Sequence, residues 1–168
     1  MRMILASCAL AVMACARGAP PSSDNGAPVA TTSADTLRGT VEVVGSEPGT
    51  QVVLTDGRGG AVTLEGERQV LLALQALEVT VHGRMEADPR RFVVERIAVR
   101  SANGVPAVDG VIAREGGRLL LVTGDGRRLP VPHLPAQLAG RVGARVWLAG
   151  PLDRHPDTFG VIAEAPRE

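Results

Sequence analysis

Between residues 37 and 44 apolar and polar positions alternate, the period of a strand with one buried face. The same alternation predicts strands over 51–55, 61–64, 77–83 and 92–99. Turn-forming stretches separate them, SEPGT at 46–50 and DGRGG at 56–60, where glycine supplies the positive φ that tight turns use. After the third strand the period lengthens. Val70, Leu71, Leu74 and Leu77 fall on one helical face, which predicts a short helix over 67–75. From residue 108 the series begins again: strands over 108–114, 118–123, 128–131, 144–150 and 158–164, with a short helix near 135–140.

The second series copies the first. VHGRMEADPRRF at 81–92 aligns with LAGPLDRHPDTF at 148–159, placing Gly83 on Gly150, Pro89 on Pro156 and Phe92 on Phe159, each pair 67 residues apart. No gap is needed back to Val52 over Leu119. Further back, RGTVEV at 38–43 matches DGVIAR at 109–114 at an offset of 71, and the difference falls in one turn, where length changes are tolerated. The chain carries an internal duplication. Phe92 and Phe159 are the only two phenylalanines and are expected in the core. Trp147, the single tryptophan, stands where alternation points outward and is expected to find cover against the other repeat.

Five short strands with a helix between the third and fourth resemble the OB-fold barrel. The phrases VTVHG at 79–83 and VWLAG at 146–150 are also similar to phrases in small OB-like domains of exported bacterial proteins. The expected fold class is therefore all-β with short helices, as two tandem OB-like five-stranded small barrels. The first would span 37–101 and the second 108–166, joined by a linker at 102–107. In such barrels the first-to-second and fourth-to-fifth loops form a contact rim. That nominates Arg90 and Arg91 in one copy, and Arg154 and His155 in the other, as binding residues beside Trp147.

The first 36 residues follow a different pattern. Arg2 precedes an apolar run over 3–14, the shape of a secretory signal and too short to span a bilayer. Val12-Met13-Ala14-Cys15 resembles the lipobox of bacterial lipoproteins. By that resemblance residues 1–14 are a signal peptide, and Cys15 is the lipidation site that binds the membrane through acyl chains. Leu5-Ala6-Ser7-Cys8 is an alternative box with less apolar sequence ahead of it. Residues 16–36 are rich in Pro, Ser, Thr, Gly and Ala and have no apolar period, so 15–36 is expected to be the lipidated Cys and a flexible tether. Ala16 favours the periplasmic side of the outer membrane by the same resemblance.

Composition narrows the chemistry. All 18 basic residues are Arg, balanced by 18 acidic ones, so no Lys nucleophile or phosphate-loop Lys exists. A neutral chain with 2% aromatics has little with which to hold nucleic acid, and none is expected as a partner. His82, His133 and His155 lack metal-ligand spacing. Asp153, His155 and Asp157 could hold a cation, but the matching stretch of the first repeat has no His, and no metal is expected. GDGR and DGRGG lie between strands and are hairpin turns rather than phosphate loops. No catalytic residue and no cofactor is assigned. The expected function is that of a lipid-anchored cell-envelope protein, a non-catalytic binding or scaffolding module that is not an enzyme, with a possible envelope protein partner. The alternative is a small-molecule or glycan binder using the barrel loop rims.

Overall fold

A computed structural model describes residues 35–46, 48–88 and 90–166, all within one compact unit, Thr32–Glu168. The first repeat contains β1 (Asp35–Val44), β2 (Gln51–Thr55), β3 (Ala61–Glu65), α1 (Arg68–Ala73), β4 (Leu77–Met85) and β5 (Arg91–Ala102). The second contains β6 (Val105–Glu115), β7 (Arg118–Val122), β8 (Arg128–Pro130), α2 (Ala136–Ala139), β9 (Arg145–Ala149) and β10 (Thr158–Ala163). Alternation produces these strands for the expected reason. Along β4, Leu77, Val79 and Val81 are buried, while Glu78, Thr80 and His82 between them are not. α1 has no side-chain cap and is held by packing, with Leu71 buried on it and Leu74 buried just past its end.

The duplication is visible in backbone packing. A Cβ on Gly39 would meet the Thr55 carbonyl oxygen at 2.2 Å, and one on Gly110 would meet that of Val122 at 2.5 Å. Gly39 and Gly110 occupy matched positions, as do Thr55 and Val122. In each repeat only glycine lets the first strand pass this close to the end of the second.

The strands form one ten-stranded sheet, ordered β10-β9-β6-β5-β3-β2-β1-β4, with β7 on β6, β8 on β7, and β4 also on β5. This overturns the expectation of two tandem OB-like barrels. The sheet runs from one repeat into the other through β5 and β6 and does not resolve into two closed barrels. The second repeat shows why. In the first, β3 pairs with β5 in parallel, Thr63 beside Arg91 and Glu65 beside Val93, and the Thr63 N–H donates to the Arg90 carbonyl at 2.6 Å. The residues matching Thr63 and Glu65 are Pro130 and Pro132, which have no N–H to donate. β8 pairs only with β7 and makes no ladder with β10. Prolines on an outer edge also block pairing with any other strand.

Residues 102–107, expected as a linker, form a tight hairpin. Asn103 and Gly104 take φ of 51° and 78°, the left-handed pair of a two-residue turn, and only Ser101 with Pro106 and Ala102 with Val105 are paired across it. Two apolar clusters fill the interior. One centres on Val41, Leu74, Val79, Val81 and Phe92, the other on Ile112, Leu121, Leu138, Val146 and Leu148. Phe92 is fully buried, whereas Phe159 is half-buried against the second cluster. β9 serves both clusters: Val146 and Leu148 enter the second, while Ala149 and the half-buried Trp147 pack on the first. Ile162 of β10 joins the first cluster as well, so the repeats share a core boundary.

A candidate binding wedge between the repeats

Beyond their two paired rungs β5 and β6 diverge. Ser101 pairs with Glu78 and Val99 with Val79, so Arg100 is an extra residue opposite β4. Such a bulge bends and twists its strand. β5 stays with β4 while β6 turns to β9 and β7, and a wedge opens between them. Its volume is about 390 Å³, and its wall includes His82, Arg96, Arg100, Thr123, Asp125 and Arg127.

Divergence removes backbone partners, and two side chains replace them. The buried Asp109 on β6 accepts the Val99 N–H through Oδ1 at 2.7 Å. Its Oδ2 accepts from Arg145 Nη2 at 2.6 Å and Nε at 2.9 Å, and Arg145 Nη2 also donates to the Ile97 carbonyl at 2.6 Å. Planar guanidinium geometry suits this forked arrangement. Asp109 and Arg145 thus bind the second repeat to the backbone of β5.

Other charges around the wedge are also paired. Asp125 accepts from the Thr123 hydroxyl, the Arg127 N–H and the Arg127 guanidinium, and these hold its carboxyl below the usual aspartate range, the Thr123 bond most strongly. Glu78 is likewise lowered, first by the hydroxyl of Ser101 and then by Arg38. His82 Nδ1 lies 3.0 Å from the Thr36 hydroxyl. Arg96 and Arg100 are exposed, and neither makes an ion pair among the described residues. Arg100 acts on Glu78 only through space.

The residues nominated from sequence lie elsewhere. Arg90 and Arg91 share one turn. The Arg90 N–H donates to Asp88 Oδ1 at 3.0 Å, and Arg91 already pairs with Glu65 at 2.9 Å. Arg91 lines a separate cleft of about 320 Å³ with Thr50, Gln51 and Arg68. Arg154 borders a shallow depression beside His133 and Leu152, and His155 Nδ1 sits 3.2 Å from the Pro156 carbonyl. Trp147 lies against Gly160, where a Cβ would stand 2.6 Å from its Nε1. These five residues do not form one site. Cys15 and Cys8 lie outside the described residues. Among the described residues no group of three His, Cys, Asp or Glu could hold a metal ion, and no helix is long and apolar enough to cross a membrane.

Sequence reasoning missed Asp109, Arg145, Arg96 and Arg100. A signal for the first two was present. Asp109 matches Arg38 and Arg145 matches Glu78, so one oppositely charged pair recurs with its signs exchanged. Arg38 Nε and Glu78 Oε1 are 2.8 Å apart. Arg96 and Arg100 carry no comparable mark, because only the bulge and the divergence of β6 place them in a cleft.

No family model, no curated protein and no solved structure matches this chain. The resemblance to bacterial lipoproteins with a lipobox-type signal and to OB-fold domains of exported proteins therefore has no family support. For the OB-like barrels the sheet described above adds the structural correction.

Proposed function

We propose that this protein is a non-catalytic binding module whose ligand enters the wedge between β5 and β6. One observation carries this reading. The wedge takes walls from both repeats, and its acidic groups are engaged in pairs that maintain structure, Asp109 with Arg145 and Asp125 with Arg127. Those groups serve folding, while Arg96 and Arg100, which make no ion pair among the described residues, remain open to a ligand. Export and attachment to a membrane through an acylated Cys15 belong to the same proposal. They are supported by Arg2, the apolar run over 3–14 and the polar stretch over 16–36. Rim binding by Arg91 has less support, since its guanidinium is already engaged by Glu65.

The test is affinity mass spectrometry of envelope extract on the full chain, with Gly124→Trp as the blocked variant. Gly124 lines the wedge, and a Cβ there meets nothing within 4 Å. A compound retained by the wild type, recovered unchanged and lost with the variant supports binding. A compound recovered chemically altered would sink the non-catalytic reading. The mass of the N-terminal peptide from source cells tests the anchor: an acylated Cys15 supports it, and an unprocessed Met1 overturns it.

A further inference from the structure

We infer that the wedge takes a small polyanion, gripped by Arg96 and Arg100, with acid groups that are carboxylates or phosphates. This inference rests on the binding reading above. The first observation is charge. The wedge wall holds three arginines and two aspartates, and both aspartates are already matched, Asp109 by Arg145 and Asp125 by Arg127. Arg96 and Arg100 remain, neither in an ion pair among the described residues. They stand four residues apart on β5, about 13 Å at some 3.3 Å per residue, less the shortening of the bulge at Arg100. Long arginine side chains on either side of the small Ala98 can converge on one ligand between them.

The second observation excludes a peptide strand. A strand added to β5 here would need the Val99 N–H and the Ile97 carbonyl. Asp109 and Arg145 occupy both. Recognition is left to side chains, and a guanidinium recognises carboxylate or phosphate oxygens through paired N–H donors. The third observation is size. A cavity of about 390 Å³ lies near the lower end of ligand sites, roughly 300–1,000 Å³, and suits a small molecule better than a polymer.

The test is calorimetric titration of the purified full chain with citrate, with pyrophosphate and with glucose as a neutral control. The expected result is one site for at least one anion, none for glucose, and affinity at least tenfold weaker in Arg96→Gln/Arg100→Gln. The melting temperature of that variant should be unchanged, because neither side chain makes an ion pair among the described residues. Arg91→Gln should bind as the wild type. Citrate alone assigns a carboxylate source, pyrophosphate alone a phosphate source, and either supports the inference. Binding of neither anion overturns it, as does binding that the double variant leaves intact. If the extract experiment then yields an uncharged compound lost with Gly124→Trp, the polyanion fails while the binding module stands. If neither anion binds and the extract yields nothing, both fail.

Discussion

Asp109 and Arg145 form an ion pair across β6 and β9 whose counterpart in the first repeat, Arg38 with Glu78, has the charges exchanged. The two pairs do different work. The Arg38 side chain is 62% exposed, whereas that of Asp109 is 7% exposed and also serves the Val99 N–H. Asp109→Ala leaves a guanidinium and a backbone donor without their acceptor and should cost about 3 kcal/mol. Arg38→Ala should cost under about 1 kcal/mol. Exchanging charges separates them further. Arg38→Glu with Glu78→Arg should come within about 1 kcal/mol of the wild type, since the exposed pair re-forms and the Ser101 hydroxyl, which now donates to Glu78, can accept from an arginine there instead. Asp109→Arg with Arg145→Asp should not recover, since an arginine at 109 cannot accept the Val99 N–H. Urea unfolding of the four variants measures this.

Thr63→Pro should weaken the first repeat by about 3 kcal/mol or more, because it removes the donor bonded to Arg90 in the parallel ladder. Pro130→Thr, the reverse change at the matched position, should alter stability by less than about 1 kcal/mol, since no ladder with β10 is lost. Thermal unfolding compares them. Equal losses in both would contradict the assignment of Pro130 to an unpaired edge.

Gly160→Ala should destabilise the chain by about 1–3 kcal/mol, because the new methyl would occupy the space of the Trp147 indole. Trp147 is the only tryptophan and the chain has no tyrosine, so its fluorescence reports the site alone. The expected signature is a red-shifted emission as the ring leaves its cover on the first cluster.

Acid should destabilise the fold. The carboxyls of Asp56, Glu78 and Asp125 are each held below their ordinary values, by backbone N–H groups of Arg58 and Gly60, by Ser101 and by Thr123 foremost. A group depressed in the folded state stabilises it fully above its unfolded value, here 4.5 for Glu and 3.8 for Asp. That contribution disappears as pH falls through the lower folded values. Melting temperature should therefore be flat above about pH 5 and fall below it. In Ser101→Ala the fall should be shallower, because Glu78 loses its leading stabiliser. An unchanged slope would contradict the role given to Ser101.

Alternation and one change of period placed all ten strands and both helices in the sequence, most within two residues of their ends. Such elements depend on which residues can face a core, and Val79 with Val81 or Ile112 with Leu121 declare that locally. The duplication was equally legible, down to the glycine pair that lets strands approach. The failure of the second repeat to close was also written there, in Pro130 and Pro132 at the donor positions of Thr63 and Glu65. Apolar periodicity does not register it, because a proline removes a backbone donor without changing the alternation of the strand.

The sequence by itself determined the strands, the short helices and their recurrence, since each rests on periodicity within about ten residues. Tertiary structure alone decided that the ten strands share one sheet and that β5 parts from β6. It also decided that Asp109 and Arg145 take over the backbone groups so released. Those outcomes depend on a bulge at Arg100 and on which strand finds a partner across the chain, and no local pattern of polar and apolar residues carries either.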